Sequence, residues 1–201
     1  DQMSEIIKIL KPKLTRLETD VNGGCVLVHG PMGIGKTVLV IECLHTLQRL
    51  FPDHHFLWVR GNSLAAFRND VVILGRMVVP SIKSTTDEQT AFTLTLDWLN
   101  KTTQPWVLMI DDLRKSVVDQ LATHFPNSST FKGTVVCTSF TADLHLPQEM
   151  DDFSHRIEVQ PLATEASMSL LTYKVPRDTE AEVKEHKDLI KSFLDSLGNL
   201  P

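Results

Sequence analysis

The octapeptide GPMGIGKT at residues 30–37 constrains this chain more than any other feature of its sequence. It fits the phosphate-binding pattern GxxxxGK[ST] at every fixed position. Glycines such as Gly30 and Gly35 let the backbone curl so that its N–H groups point inward at phosphate oxygens. In this pattern the lysine, Lys36, reaches the β- and γ-phosphates, and the hydroxyl of Thr37 ligates Mg²⁺. The octapeptide therefore predicts a nucleotide-binding loop.

The residues on either side of the loop support this prediction. Residues 25–29 form a short apolar run with β-branched members, which is typical of a buried strand. Residues 36–50 read as a helix, whose N-terminal end adds positive potential at the phosphates. We therefore expect Gly33, Ile34 and Val38 to line the nucleotide as well.

The same alternation of strand and helix continues along the chain. Five strand–helix repeats are the signature of a parallel α/β sheet. The further strands are predicted at 55–60, 106–110, 134–138 and 156–159. The helices between them are predicted at 63–79 and 115–125, with a third that starts at a capping box, Thr86–Gln89, and reaches Asn100. Before the sheet, residues 3–18 read as a helix that Pro12 should kink or split. After residue 161, helices are predicted at 164–174 and 179–197.

These boundaries divide the chain into three parts. Residues 1–20 are predicted to be an N-terminal helical segment or linker, and residues 21–161 a nucleotide-binding α/β domain. Residues 162–201 are predicted to begin a helical subdomain. The chain runs from an aspartate to a proline, and we expect it to be a part of a longer protein.

A second candidate site element follows the buried strand at 106–110. Asp111 and Asp112 come directly after it. A buried strand that ends in two carboxylates is unusual, because an unpaired charge is costly to bury. At the carboxyl edge of a parallel sheet, Asp111 would hold Mg²⁺, and Asp112 would orient or activate the attacking water. Thr138 and Ser139 close the strand at 134–138, and they either face the γ-phosphate or form a plain turn.

Composition and charge exclude several classes of protein. The longest apolar run falls well short of the ~20 residues of a membrane helix, and no basic region precedes an apolar stretch, so we expect no signal peptide. The formal charge of −5 disfavours a dedicated nucleic-acid binder, which usually carries a basic patch. Cys25, Cys43 and Cys137 form no CxxC pair, which favours a reducing compartment. We therefore expect a cytoplasmic protein that binds neither membrane nor nucleic acid.

The ordered set of motifs resembles the NB-ARC domain of the STAND nucleotide-triphosphatases. The likeness is greatest to the animal apoptotic protease-activating factors, and the family also includes plant disease-resistance proteins. The segments that carry it are the strand, loop and helix at 25–39, the FLWV run at 56–59, the Asp-Asp strand at 107–113, the strand at 134–139, the IEV run at 157–159 with Leu162, and GNLP at 198–201.

This resemblance implies a three-layer fold with five parallel strands in the order 5-1-4-3-2. It implies that ADP or ATP binds with Mg²⁺, that Pro201 touches the adenine, and that the backbone around Val21 to Gly23 helps to hold it. The family usually ends its fourth strand with Thr-Thr-Arg, where the arginine senses the γ-phosphate. Here Phe140 follows Ser139, which leaves hydrolysis and the discrimination between ATP and ADP open.

The resemblance also implies a function. ADP would hold the full-length protein closed, and exchange for ATP would open it into a homo-oligomer that activates an effector, such as a caspase-type protease or adaptor, in cell death or innate immunity. Turnover would be slow. Two alternatives stay open at this point: a cycling ATPase that remodels protein or DNA, and an interaction module whose nucleotide never exchanges. A small-molecule kinase is disfavoured because no acceptor site or lid is evident.

Overall fold

The computed structural model describes residues 2–15, 24–124, 133–147, 154–173, 186–196 and 198. In chain order, the helices and strands are α1 (Gln2–Leu14), β1 (Gly24–His29), α2 (Lys36–Leu50), β2 (His55–Arg60), α3 (Leu64–Val78), α4 (Glu88–Lys101), β3 (Trp106–Asp111), α5 (Lys115–His124), β4 (Thr134–Ser139), β5 (Ser154–Glu158), α6 (Thr164–Thr172) and α7 (Lys187–Ser196). No helix in these ranges is long and apolar enough to cross a membrane.

The five strands form one parallel sheet in the order β2-β3-β4-β1-β5. This is the predicted order 5-1-4-3-2 counted from the opposite edge, so the predicted topology is confirmed. β4 lies between β1 and β3, and His29 at the end of β1 pairs with Ser139 at the end of β4. Because parallel strands end at the same edge, the loop after β1 and the carboxylates after β3 meet there.

Helices cover both faces of the sheet, which confirms the predicted three layers. Alternate residues of a strand point to opposite faces, so each central strand supplies both cores. On one face, Leu27, Leu108 and Val135 pack with α3, α4 and α5. On the other face, Val26 and Val136 pack with α1 and α2. The central strands are buried along almost their whole length.

The N-terminal helix is continuous with this second core. Ile6 and Leu10 of α1 are completely buried, and α1 packs along α2. The expected split at Pro12 is wrong, since α1 continues through Pro12 to Leu14, and a kink there stays a prediction. Pro12 lies near the C-terminal end of α1, so the one hydrogen bond that its missing N–H removes is lost from the last turn, and the N–H of Thr15 still donates to the carbonyl of Lys11 at 3.1 Å. Residues 16–18 of the predicted helix lie outside the described residues.

Most element boundaries differ by one or two residues from the predicted ones, and two of these differences have a clear physical reason. The N-cap of α4 is Asp87, whose carboxylate accepts the N–H of Thr90 at 2.9 Å, while the Thr86 hydroxyl instead accepts the N–H of Lys83 at 3.0 Å. β5 begins at Ser154 rather than at residue 156 because its pairing with β1 already starts there.

The described residues after β5 form helices. α6 and α7 contact each other, and α7 matches the later part of the helix predicted at 179–197. Residues 174–185 lie outside the described part of the chain.

The burial of α1 gives a prediction about stability. We expect Leu10→Ala to lower the free energy of unfolding by about 2–4 kcal/mol, because it opens a cavity between α1 and the core. Lys8→Ala is the control, since Lys8 is an exposed residue of the same helix. Urea unfolding followed by circular dichroism measures both. Equal, small losses would mean that α1 is not part of the cooperative unit.

Candidate functional site

The loop between β1 and α2 has a backbone that requires glycine. Gly30, Gly33 and Gly35 have φ values of 147°, 79° and 88°, which L side chains rarely adopt. A Cβ on Gly30 would also lie 3.2 Å from the carbonyl oxygen of Val159. Ile34 is buried in the core beneath the loop. The loop therefore curls tightly at the carboxyl edge of the sheet, as its sequence predicts.

The first turn of α2 opens onto this loop. Gly35 caps the helix without a side-chain hydrogen bond, and the N–H of Leu39 donates to the Gly35 carbonyl at 2.9 Å. The first N–H groups of a helix have no intrahelical acceptor, and the dipole adds positive potential there. Val38 is an exposed residue of this first turn, and its backbone N–H, rather than its apolar side chain, is the group that an anion could accept. This end of α2 can bind phosphate oxygens.

Lys36 folds back over the loop. Its ammonium donates to the carbonyls of Gly30 and Pro31 at 2.9 and 2.8 Å. Burial lowers the pKa of Lys36, while the negative charges of Asp112 and Asp111 oppose that shift. A partly desolvated cation at the loop gains free energy when an anion enters the loop.

Asp111 joins the ends of three elements. Its Oδ1 atom accepts the Thr37 hydroxyl of α2 at 2.7 Å and the Thr138 hydroxyl of β4 at 2.6 Å. A hydroxyl and a carboxylate are hard oxygen ligands of the kind that Mg²⁺ prefers. The donor set of Thr37 and Asp111 therefore fits the metal predicted from the sequence.

Thr138 fixes both members of the acidic pair. Its Oγ1 atom donates to Asp111 and accepts the backbone N–H of Asp112 at 2.8 Å. Asp112 has a φ of 54°, which is uncommon for a residue with a side chain. Ser139 is fully buried. The Thr138 hydroxyl is thus occupied by the acidic pair, and contact of Thr138 or Ser139 with a phosphate stays a prediction.

The structure adds residues that the sequence analysis did not assign to the site. The Arg114 guanidinium pairs with Oδ2 of Asp112 at 2.9 Å, and its central carbon lies 4.4 Å from the centroid of the Phe140 ring. Gly61 donates its N–H to the Asp111 carbonyl at 2.6 Å and accepts the N–H of Arg114 at 3.0 Å. A basic residue two positions after the acidic pair was the one available sequence signal.

Some predicted site residues cannot be placed. Pro201 and the backbone around Val21 to Gly23, expected at the adenine, lie outside the described residues. In the part of the chain that the structure describes, no cluster of three or more His, Cys, Asp or Glu residues could hold a metal by itself. A metal at Thr37 and Asp111 would therefore need further ligands from phosphate or water.

Comparison with known proteins identifies the family. The family model of the NB-ARC domain matches residues 3–181, which is most of the chain. A comparison with curated proteins gave no match.

Solved structures share the fold. The structure of Drosophila ORC bound to DNA is 23% identical in sequence. The match covers 88% of this chain and 46% of that chain with a TM-score of 0.63. Cdc6p from Pyrobaculum aerophilum is 15% identical, and the match covers 84% of this chain and 48% of that chain with a TM-score of 0.58. The Aeropyrum pernix ORC1 protein in complex with DNA is 12% identical, and the match covers 86% of this chain and 47% of that chain with a TM-score of 0.61. The chain spans about half the length of these proteins, and the likeness establishes the fold alone.

The contacts of Thr138 give a prediction about stability. Thr138→Val keeps the shape of the side chain but removes one of the two hydroxyls that donate to Asp111 and the hydroxyl that accepts the N–H of Asp112. We expect a loss of about 1–3 kcal/mol in the free energy of unfolding. Thr134→Val, at the start of the same strand and away from the acidic pair, is the control. Chemical denaturation of both variants measures the difference, and equal losses would contradict the role given to the Thr138 hydroxyl.

Proposed function

The chain belongs to the NB-ARC domain family, and we propose from that premise that it binds ADP or ATP with Mg²⁺ and acts as a conformational switch. The observation that carries the proposal is the joint geometry of the loop at 30–37 and the carboxylate of Asp111. Glycine φ values shape the loop, Lys36 lies over it, and Thr37 contacts Asp111. An anion and a divalent cation are the two ligands that this arrangement suits.

Each group has a role in this proposal. The backbone at Gly30, Gly33, Ile34 and Gly35 and the start of α2 bind the phosphates, with Lys36 as the cation. Thr37 and Asp111 hold Mg²⁺, which supplies charge neutralisation at the phosphates. Asp112 orients or activates water, which gives at most slow hydrolysis. Thr138 keeps Asp111 and Asp112 in position.

The wider function rests on the family resemblance. We propose that ADP holds a longer, STAND-type protein in a closed state and that exchange for ATP opens it. The open state would form a homo-oligomer that activates an effector, such as a caspase-type protease or adaptor. Residues 162–201 would begin the helical subdomain that moves between the two states, with Pro201 against the adenine. A switch of this kind uses differential binding to shift conformational populations rather than rapid turnover.

Lys36→Ala tests nucleotide binding. With millimolar ADP or ATP and Mg²⁺, the melting temperature of the unchanged protein should rise, because a ligand that binds only the folded state stabilises it. The variant should show no rise, since it lacks the cation of the loop. Lys101→Ala, at the exposed end of α4, is the control and should behave like the unchanged protein. An equal rise in the Lys36 variant would refute the central proposal.

Asp111→Ala tests the metal site. We expect nucleotide affinity measured with Mg²⁺ to fall far more than affinity measured with EDTA, because the variant removes a metal ligand but no phosphate ligand. Isothermal titration under both conditions gives the two ratios. Equal losses with and without Mg²⁺ would argue against a metal role for Asp111.

Turnover and exchange separate the switch from its alternatives. Phosphate release at about 1 s⁻¹ or faster, within the ordinary range of enzymes, would favour a cycling ATPase. Bound nucleotide that never exchanges in the full-length protein would favour a static interaction module. A switch predicts exchange with slow hydrolysis.

A further inference from the structure

Strand β2 forms an open edge of the sheet. It is the first strand in the order β2-β3-β4-β1-β5, and among the described residues its strand partner is β3 alone. Natural proteins commonly protect such an edge with proline, lysine or a bulge, because an unpaired strand attracts another strand. The six residues of β2, HFLWVR, include neither proline nor lysine, and their pairing with β3 runs without a bulge. This edge can therefore accept a further strand.

The direction of the backbone groups along β2 follows from its bonds to β3. The N–H groups of His55 and Gly61 both donate toward β3, at 3.0 and 2.6 Å. Successive residues of a strand turn their N–H and carbonyl groups to opposite sides. The groups of Phe56, Trp58 and Arg60 therefore face outward, away from the sheet.

Two of these three residues keep their outward groups free. The N–H of Arg60 donates to the carboxylate of Asp70 at 3.0 Å, which closes that end of the edge. At the other end, the N–H of His54 donates within the preceding turn at 3.2 Å. No hydrogen bond within the described ranges uses the outward N–H groups of Phe56 and Trp58. The open part of the edge is thus two alternate residues long.

The surface beside this edge is apolar. Trp58 of β2 is 50% exposed, and Ile73 and Met77 of α3 are 48% and 80% exposed. A groove of about 470 Å³ lies between β2 and α3, and one of about 180 Å³ lies between β2 and α2. Among the described residues that line the larger groove, the two charged ones, Arg60 and Asp70, pair with each other at 2.7 Å. An apolar partner suits this surface, since a buried charge would find no free counter-charge there.

We propose that the edge of β2 binds the same edge of a second copy of this chain, antiparallel, around a two-fold axis at Leu57. In this register Phe56 of each copy lies opposite Trp58 of the other. Each of the two pairs exchanges N–H and carbonyl groups, which gives four hydrogen bonds between free groups. Sliding the copies by two residues would instead require the N–H of Arg60 or of His54, and both are already bonded.

The side chains match in the same register. Phe56 and Trp58 share the α2 face of the sheet, and a two-fold axis perpendicular to the sheet keeps that face continuous. The ring of each Phe56 then lies beside the Trp58 ring of the other copy, and aromatic pairs across strands are favourable. On the opposite face, the exposed side chains of Ile73 and Met77 turn toward α3 of the second copy. The junction therefore covers the apolar side chains that the single chain exposes.

The charges at the ends of β2 favour the antiparallel arrangement. The strand follows the exposed Asp53 and ends at the exposed Arg60. Antiparallel pairing brings Arg60 of one copy toward Asp53 of the other, at both ends of the junction. Parallel pairing would bring each charge toward its own like charge, which is unfavourable.

This dimer is independent of the proposed nucleotide site. A two-fold contact uses the same patch on both copies and closes at two. It requires no nucleotide, so it differs from the homo-oligomer proposed to form when ATP replaces ADP. A failure of nucleotide binding would leave this inference standing, and a chain that binds nucleotide but never dimerises would refute the inference alone.

Sedimentation velocity of the chain without nucleotide tests the association. One strand and its flanks make a small interface, so we expect a monomer–dimer equilibrium centred at roughly 10–100 µM. Trp58→Lys places a charge on the edge and should weaken association about tenfold or more. Leu189→Lys is the matched control, because it makes the same kind of change at a 70% exposed residue of α7. It should dimerise like the unchanged chain.

Two outcomes of this experiment would overturn the proposal. The first is an unchanged chain that stays monomeric at several hundred micromolar, which would leave the edge for a different partner. The second is a dimer that survives Trp58→Lys, whether or not Leu189→Lys disrupts it. Circular dichroism of both variants checks that they are folded.

Cysteine cross-linking tests the register. In Leu57→Cys the two introduced residues face each other across the axis, with Cα atoms about 4.5 Å apart, which a disulfide can span. In Val59→Cys, on the same face of β2, they lie four residues apart along the strands, about 13 Å, which is too far. The native cysteines, Cys25, Cys43 and Cys137, are buried.

Mild oxidation followed by non-reducing electrophoresis gives the result. We expect a cross-linked dimer from Leu57→Cys and monomer from Val59→Cys. Equal cross-linking of both variants, of Val59→Cys alone, or of neither would contradict the two-fold axis at Leu57. If Leu57→Cys does not fold, the comparison of Trp58→Lys with Leu189→Lys decides the proposal.

Discussion

The hydrogen bonds to Oδ1 of Asp111 are the contacts on which the site depends. Thr37 and Thr138 both donate to this one oxygen, so the start of α2 and the end of β4 are tied to the end of β3. The arrangement requires β4 to lie between β1 and β3, which the sheet order provides. A carboxylate at a strand end is costly without partners, and here two hydroxyls donate to one of its oxygens.

The same edge of the sheet brings opposite charges together. Lys36 lies at the start of α2 and Arg114 follows β3. Arg114 pairs with Asp112 at 2.9 Å, and the negative charges of Asp112 and Asp111 raise the pKa of Lys36. Rigid backbone fixes the carboxylates, through the Thr138 hydroxyl and the left-handed conformation of Asp112. The cations are on longer side chains.

The sequence was sufficient to predict the sheet and the loop because both depend on local patterns. Apolar runs identified the strands, and the GxxxxGK[ST] spacing requires a tight turn before a helix. The sequence was less informative where a contact decides the outcome. The competition between Thr86 and Asp87 for the α4 N-cap is settled by which oxygen reaches the N–H of Thr90. The position of Arg114 depends on Phe140, 26 residues later, and periodicity carries no information about such a pair.

Nucleotide binding by this chain is the claim on which the rest of the account depends, and equilibrium dialysis measures it directly. Radiolabelled ADP and ATP would be dialysed with Mg²⁺ against the folded chain, with GDP and GTP as competitors. The account predicts saturable binding of one adenine nucleotide per chain, lost when the metal and the lysine of the loop are both removed. A protein with native circular dichroism that binds no nucleotide at millimolar concentration would contradict it.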